Sequence, residues 1–553
     1  MIDYLVKKNF FGINIFSWGT FLVIIFASIL LLLNPIMLPP NFSDISYHLS
    51  VANGFINSGG VVTWNYWEAA PIGRAQLYPP LFHIILSGLL LLGINQIFLI
   101  KLVSFIIYPL ILWAIWYLGK NIFNDFVGFL SVIFVAKSLP FIMTSVTVLP
   151  ATLSIFLTLL IYVFLTRKKY LAAFLLMILV WYSHMFLPYF SAWLLFSYGL
   201  VNKKEFKKVL IIIFGSFIFY LPWFINVVTH LNYIKYFSVL TPFERGKNDS
   251  LFDIFLPFSF IVTFFWCLIY FFKNELFQKV LPIFIWIFPM FIIIPLYPER
   301  FFSAGGLVAL AICLAVFIYL ILEKNNNLIL NVIFIIFIIF FDVQLIHTPE
   351  KNPVIHLRST TFVSLINVEP NFWSGIKYNP YSQINLNLAD KLKNNTNSND
   401  IIWSKTSIFE HYYYHPETQV IIGNFFGGLA NRAIANARDP EEFRPDLWQP
   451  LPVEKAAMVV AELKQTPFWN GERSQSDQQL SDILAKNFLL VDRSEILYLY
   501  KNKSNDLVTV DIVKPVVPLW LTYLLILLIV TLIFYSIYNN KLDKIFFHEN
   551  SSH

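Results

Sequence analysis

Charge is what this sequence has least of. Only 13% of its 553 residues are Asp, Glu, Lys or Arg, where a soluble chain of this length carries roughly a quarter. Water alone cannot solvate so uncharged a surface, so an ordinary soluble globular protein is excluded. Cysteine is scarce too. Cys267 and Cys313 are the two in the chain, both inside apolar runs, which excludes a disulfide framework. No Cys/His spacing of the zinc-site kind occurs. The net charge of +6 is spread over loops, with no basic, glycine-rich or aromatic-interleaved patch that would grip nucleic acid. A glycine-rich turn of the dinucleotide-binding kind is also missing. No internal repeat is apparent.

What fills the sequence is apolar. Hydrophobic residues make up 57% of it, and the mean hydropathy is +0.65. Runs long enough to cross a bilayer, about 20 residues each, recur at roughly 14–34, 98–118, 126–144, 150–166, 171–187, 188–202, 208–228, 256–272, 280–297, 301–322, 327–345 and 518–538. The first follows Lys7 and Lys8 and has no small-residue cleavage site after it, so it reads as an anchor. A further run at 80–95 opens with Pro79-Pro80 and contains His83. It is short, and reads as interfacial or re-entrant. The basic residues support that choice. If 80–95 does not span, then Lys7/Lys8, Lys120, Arg167-Lys168-Lys169, Lys203/Lys204/Lys207/Lys208, Lys273/Lys279, Lys324 and Lys541/Lys544 all fall on the cytoplasmic side. The opposite short loops then hold Lys235, Arg245, Lys247 and Arg300. The expectation is a multi-span α-helical membrane protein of the plasma membrane, with about 12 transmembrane helices and both termini cytoplasmic.

Two large segments are then external. One is the first loop, 35–97, within a polytopic unit of residues 1–345. The other, 346–515, mixes helix-like runs such as Pro452–Gln465 with strand-like runs such as Val420-Ile421-Ile422 and Phe488–Val491. It reads as an extracytoplasmic α/β domain. Residues 516–553 hold the last span and a cytoplasmic tail.

Chemistry-bearing residues concentrate in the first loop, at Asp44, Tyr47, His48, Trp64, Trp67, Glu68, Arg74 and His83. A carboxylate at the membrane surface serves as a base toward an acceptor hydroxyl or amide, or holds a divalent cation, Mg or Mn, against a phosphate. Asp44 is equally an N-cap for the periodic run that follows it. Trp and Tyr rings stack on sugar faces or anchor a loop at the interface. Arg300, in Tyr297-Pro-Glu-Arg-Phe, is suited to grip a phosphate or to anchor the interface beside Glu299. Lys137 falls inside the run 126–144, where a cation is costly and marks either function or pairing. His184 reads as a packing histidine or a site residue. Asp342 is a helix-end group.

The order of these parts resembles the catalytic-subunit family of oligosaccharyltransferases, of the GT-C class of membrane glycosyltransferases. Asp44-Ile-Ser-Tyr-His looks like that family's first acidic motif, continued by Pro71-Ile-Gly-Arg74 and Tyr78-Pro-Pro-Leu-Phe-His83. Tyr117-Leu-Gly-Lys120 with Asp125-Phe-Val-Gly looks like its short cytoplasmic turn, and Arg300-Phe like its external arginine. The resemblance implies transfer of a sugar or oligosaccharide from a polyprenyl-phosphate carrier to an extracytoplasmic lipid, glycan or protein. Asp44 would be base or metal ligand, Arg300 and Arg74 would hold phosphate, and Tyr47, His48, Trp64, Trp67, Glu68, His83 and His184 would line the substrate. Two motifs depart from the family. The second acidic motif is replaced by Ser145-Val-Thr-Val-Leu-Pro150, which cannot ligate a metal in the usual way, and Trp403-Ser-Lys-Thr-Ser stands where the family carries Trp-Trp-Asp-Tyr-Gly. Both argue for an acceptor other than protein asparagine and against metal dependence. A non-catalytic scaffold of the same fold and a polytopic lipid or solute transporter are the rival readings.

Overall fold

The structure is a computed structural model. It describes residues 9–10, 13–33, 45–68, 70–138, 141–142, 145–146, 149–231, 277–293, 305–324, 341–348, 351–359, 383–405, 433–434, 451–462, 475–493, 497–539 and 547. Five helical stretches in it are long and apolar enough to cross a membrane: α1 (Ile15–Leu33), α4 (Gln96–Ile122), α6 (Leu149–Thr166), α9 (Lys203–Thr229) and the last helix (Leu519–Tyr538). Between them lie α2 (Ile45–Ser58), α3 (Leu81–Leu91), α5 (Asp125–Ala136), α7 (Tyr170–Trp181) and α8 (Leu187–Val201). The helices α10 (Phe277–Ile293) and α11 (Gly306–Lys324) complete the described bundle.

Local chemistry sets the helix ends. The Asn95 side chain accepts from the amides of Ile97 and Phe98 at 2.9 and 3.2 Å, starting α4. Asn124 does the same for α5 through Val127 N at 2.9 Å, with Asp125 in the first turn where the helix dipole favours an anion. α4 and α5 then cross at Gly119 and Gly128. A Cβ on Gly119 would lie 2.8 Å from Gly128 Cα, so only residues without side chains permit this contact. α3 has eleven residues. At 1.5 Å per residue that is about 16 Å, half a bilayer core, so α3 alone cannot cross.

Polar contacts gather at two opposite ends of the bundle. At one end Lys120 pairs with Asp125 at 2.8 Å, Ser17 donates to the same carboxylate, and Arg167 Nε donates to Asn121 Oδ1 at 3.1 Å. Lys169 Nζ donates to Ser536 O at 3.2 Å, and Lys208 pairs with Glu205 at 3.3 Å. Several of the basic groups read from the sequence as lying on one side thus meet there. At the other end Leu81 N donates to Tyr182 O at 2.9 Å. The strand Gly60–Val61 pairs antiparallel with Val517–Pro518, joining the first loop to the start of the last helix.

The C-terminal region holds a five-stranded mixed sheet, in the order Phe488–Arg493, Leu497–Asn502, Met458–Glu462, Ile401–Lys405 and Ala433–Ile434. The helix Gln475–Asn487 packs on it, with Leu484 and Phe488 buried against Val459 and Ala461. Phe488–Val491 is a strand, as its apolar run suggested. The described part of Pro452–Gln465, residues 452–462, is not a helix: a single turn at Val453–Lys455 is followed by the strand Met458–Glu462. That strand pairs on both sides, in parallel with Ile401–Lys405 and antiparallel with Leu497–Asn502, and these ladders override its helix-forming Ala and Glu residues. The end of the run drawn as a span to 345 is a strand, because Phe341–Thr348 pairs with Lys351–Ser359 as a hairpin. Asp342 is therefore a strand residue. Lys137 follows the last residue of α5 as its C-cap and is 4% exposed, its Nζ 5.5 Å from the Phe134 ring. Val420–Ile422 lies outside the described residues.

Candidate functional site

α2, a short hairpin and α3 come together at the end of the bundle away from Lys120 and Arg167. The hairpin pairs Trp64 with Ala75 and Asn65 with Arg74, and Gln76 N extends it by donating to Thr63 O at 2.8 Å. α9 clamps its second strand. Asn226 Nδ2 donates to Gln76 O at 2.8 Å and Trp223 Nε1 to Leu77 O at 3.3 Å.

Eight of the residues singled out by sequence fall here. Glu68 is fully buried, and its Oε2 accepts from Arg74 Nε. The Arg74 guanidinium lies 5.8 Å from the centre of the Tyr47 ring. Beneath it, His48 Nδ1 and His83 Nε2 are 2.9 Å apart, one ring donating to the other. Burial drives the His83 pKa down to about 3, the Pro79 carbonyl only partly opposing it, so this imidazole is neutral at physiological pH. Tyr78, not among the sequence candidates, joins the group, its ring 5.4 Å from His48, 5.7 Å from His83 and 5.7 Å from His184. His184 Nδ1 accepts from the amides of Phe186 and Leu187 at 3.1 and 3.4 Å. It thereby serves the start of α8 and keeps any ring proton on Nε2. Trp64 Nε1 donates to Ile72 O at 3.0 Å on the outer face of the hairpin. Trp67 is 4% exposed and packs edge-on to Phe55 and Tyr66. Asp44 and Arg300 lie outside the described residues.

Sequence reasoning missed Asn65 and Gln76, both at 0% exposure. Among the described residues, both amide atoms of Asn65, Oε1 of Gln76 and Oε1 of Glu68 have no hydrogen-bond partner. Two residues per strand are too few for alternation to be read from the sequence. The one available signal is the spacing of polar residues at Thr63 and Asn65 between Val62 and Tyr66.

Among the described residues no group of three or more His, Cys, Asp or Glu could hold a metal ion. The two imidazoles are bonded to each other and Glu68 to Arg74, so these residues do not fit a divalent-cation site.

The architecture matches solved membrane glycosyltransferases. The apo oligosaccharyltransferase of Archaeoglobus fulgidus superposes with a TM-score of 0.54 at 12% identity, over 90% of this chain and 76% of that one. The oligosaccharyltransferase AglB of Archaeoglobus fulgidus, in complex with an inhibitory peptide and a dolichol-phosphate, gives 0.53 at 10% identity, over 81% and 69%. The mycobacterial arabinofuranosyltransferase AftD gives 0.51 at 10% identity, over 89% of this chain and 40% of that one. The fold is that of the GT-C membrane glycosyltransferases. No protein-family model and no curated protein matches the sequence. The likeness is one of fold, and the hairpin with its buried polar residues lies between α2 and α3.

Proposed function

We propose that this protein is a membrane glycosyltransferase that moves a sugar or oligosaccharide from a polyprenyl-phosphate carrier to an extracytoplasmic lipid, glycan or protein. The observation that carries the reading is the convergence of Glu68, Arg74, Tyr47, His48, His83 and Tyr78 in one loop of a GT-C fold, at the bundle end away from the lysines. The chain crosses the plasma membrane about 12 times, with both termini cytoplasmic and residues 346–515 outside as a domain before the last helix. Lys120, Arg167, Lys169 and Lys208 then face the cytoplasm. Arg300, with Arg74 as the second cation, holds the donor phosphate. Asp44 takes the proton from the acceptor nucleophile. The nucleophile attacks the anomeric carbon from the face opposite the phosphate, the carbon–oxygen bond to phosphate breaks, and the phosphate leaves with the electron pair. The transfer inverts the anomeric centre.

The test uses purified membranes and a panel of radiolabelled polyprenyl-phosphate and polyprenyl-diphosphate sugars, with native membrane extract as acceptor. Label leaves the lipid with wild type and stays on it with Asp44→Asn, and a parallel arm with chelator decides whether a divalent cation takes part. Replacement of the second acidic motif by Ser145–Pro150 supports one other reading, a scaffold without activity. Folded wild-type protein that turns over none of these donors would establish that reading, or transport, in place of transfer.

A further inference from the structure

We infer that Asn65, Glu68, Arg74 and Gln76 form a hydroxyl-binding cradle that recognises vicinal hydroxyls of a sugar. The inference deepens the glycosyltransferase reading and rests on it for the source of the sugar. Pairing in the hairpin sets Asn65 opposite Arg74 and Thr63 opposite Gln76. Residues directly opposite each other share a face, and alternate positions return to it. Asn65, Arg74 and Gln76 therefore project to one side, where Glu68 meets Arg74. Trp64 and Ala75 project to the other.

That shared side is buried and polar. Asn65, Glu68 and Gln76 are at 0% exposure. Their unpartnered atoms are three acceptor oxygens (Asn65 Oδ1, Glu68 Oε1, Gln76 Oε1) and one donor (Asn65 Nδ2). Buried polar groups are retained without partners at a cost in stability, and such exceptions mark sites where something else completes them. An acceptor-rich set beside a single amide donor does not suit a phosphate, which needs donors. It suits hydroxyls, each of which donates one hydrogen and accepts another. Glu68 Oε1 would accept from one hydroxyl whose oxygen accepts from Asn65 Nδ2, and Gln76 Oε1 or Asn65 Oδ1 would accept from its neighbour. The cradle reaches the surface at Arg74, whose side chain is 13% exposed. Arg74 so joins the hydroxyl set to the phosphate-binding role proposed for it.

Two sources present this chemistry, the sugar of the donor and a glycan acceptor, and the test separates them. Wild type, Asn65→Leu and Gln76→Met are purified in lipid nanodiscs. Binding is measured for polyprenyl phosphate, for a panel of polyprenyl-phosphate hexoses and pentoses, and for the corresponding methyl glycosides. Leu and Met keep the side-chain volumes and remove the hydroxyl partners. If the cradle binds the donor's sugar, wild type prefers at least one glycosylated lipid over the bare phosphate lipid. Each variant then loses that preference by on the order of tenfold, while bare phosphate binding and Tm hold. If it binds an acceptor glycan, the loss appears with methyl glycosides instead, and the cradle stands whether or not a lipid-linked donor is used. The inference is overturned if the variants keep wild-type preference for every sugar, or if no glycosylated lipid or glycoside binds wild type at all. Lower Tm with unchanged sugar preference also overturns it, because these polar groups would then be structural. Failure of the donor reading looks different: methyl glycosides still bind wild type and not the variants, and no phosphate lipid binds.

Discussion

Removing one partner of the Glu68–Arg74 pair should harm the protein far more than removing both. Glu68 has a fully buried side chain and Arg74 is 13% exposed. Arg74→Met keeps much of the side-chain length and removes the charge. It leaves the Glu68 carboxylate fully buried, with Oε1 already unpartnered among the described residues. Breaking a buried pair in this way costs about 3–5 kcal/mol. Glu68→Leu is milder, roughly 1–3 kcal/mol, because the partly exposed guanidinium it leaves can turn to solvent. The double variant Glu68→Leu/Arg74→Met buries no charge. It should return to within about 1 kcal/mol of wild type, since apolar replacement of a buried ion pair is often neutral or stabilising. Thermal and chemical denaturation in detergent, followed by tryptophan fluorescence, reads all four proteins in one cycle. Additive losses in the double variant would refute the argument, as they would mean the two side chains stabilise the loop independently. The double variant should be folded and bind a phosphate lipid more weakly, with Arg300 the cation that remains, which separates the pair's structural role from its functional one.

Acid should weaken the fold through His83. Its pKa is about 3 when folded against 6.5 when free, so above 6.5 it contributes no pH dependence, and below 6.5 the unfolded chain binds the extra proton. Stability then falls as pH drops, by about 2 kcal/mol at pH 5 from this group. A Tm-against-pH series should show that slope in wild type and lose it in His83→Phe; parallel slopes would refute it. Gly54→Ala should destabilise the loop despite the higher helix propensity of alanine, because the new Cβ would sit 2.1 Å from Trp67 Cε3. The overpacking cost of about 1–3 kcal/mol exceeds the propensity gain of about 1 kcal/mol, and an unchanged or higher Tm would contradict it. For topology, Ile72→Cys should react with an impermeant maleimide on intact cells and Lys168→Cys only after permeabilisation, both positions being exposed in the fold. Labelling of both from outside would break the proposed orientation.

What the sequence made legible is what repeats over many residues. The long apolar runs of α1, α4, α6, α9 and the last helix carry enough residues for composition alone to mark them. The short length of α3, with Pro79-Pro80 ahead of it, was equally readable. Glu68, Arg74, His48 and His83 could be picked out as chemistry-bearing types crowded into one loop. Their pairing could not, because it joins residues on α2, a turn, a hairpin and α3 through contacts that leave no period. The strand Met458–Glu462 was misread for a related reason. Its Met, Ala and Glu residues favour a helix in isolation, and what makes them a strand is a neighbour from residues 401–405 on one side and 497–502 on the other.

The same limit applies to α9, whose irregularity positions the loop. Residues Ile211–Gly215 form one wide π-helical turn inside it. An inserted residue rotates everything beyond it by about 100° relative to a continuous α-helix. Pro222 follows, and a proline inside a helix loosens the carbonyls of the turn before it. One of those, Phe219 O, accepts from Tyr182 Oη at 2.8 Å, so the break is met by a side chain from the segment following α7. Beyond it Trp223 and Asn226 face the protein, not lipid, and take the Leu77 and Gln76 carbonyls. A straight α9 would turn these two side chains away from the hairpin. The strand that carries Arg74 and Gln76 would then lose two hydrogen bonds that tie it to the bundle. The π turn, Pro222 and Tyr182 therefore act together with a residue that looks unremarkable in the sequence, Asn226, to fix the hairpin on which the candidate site is built.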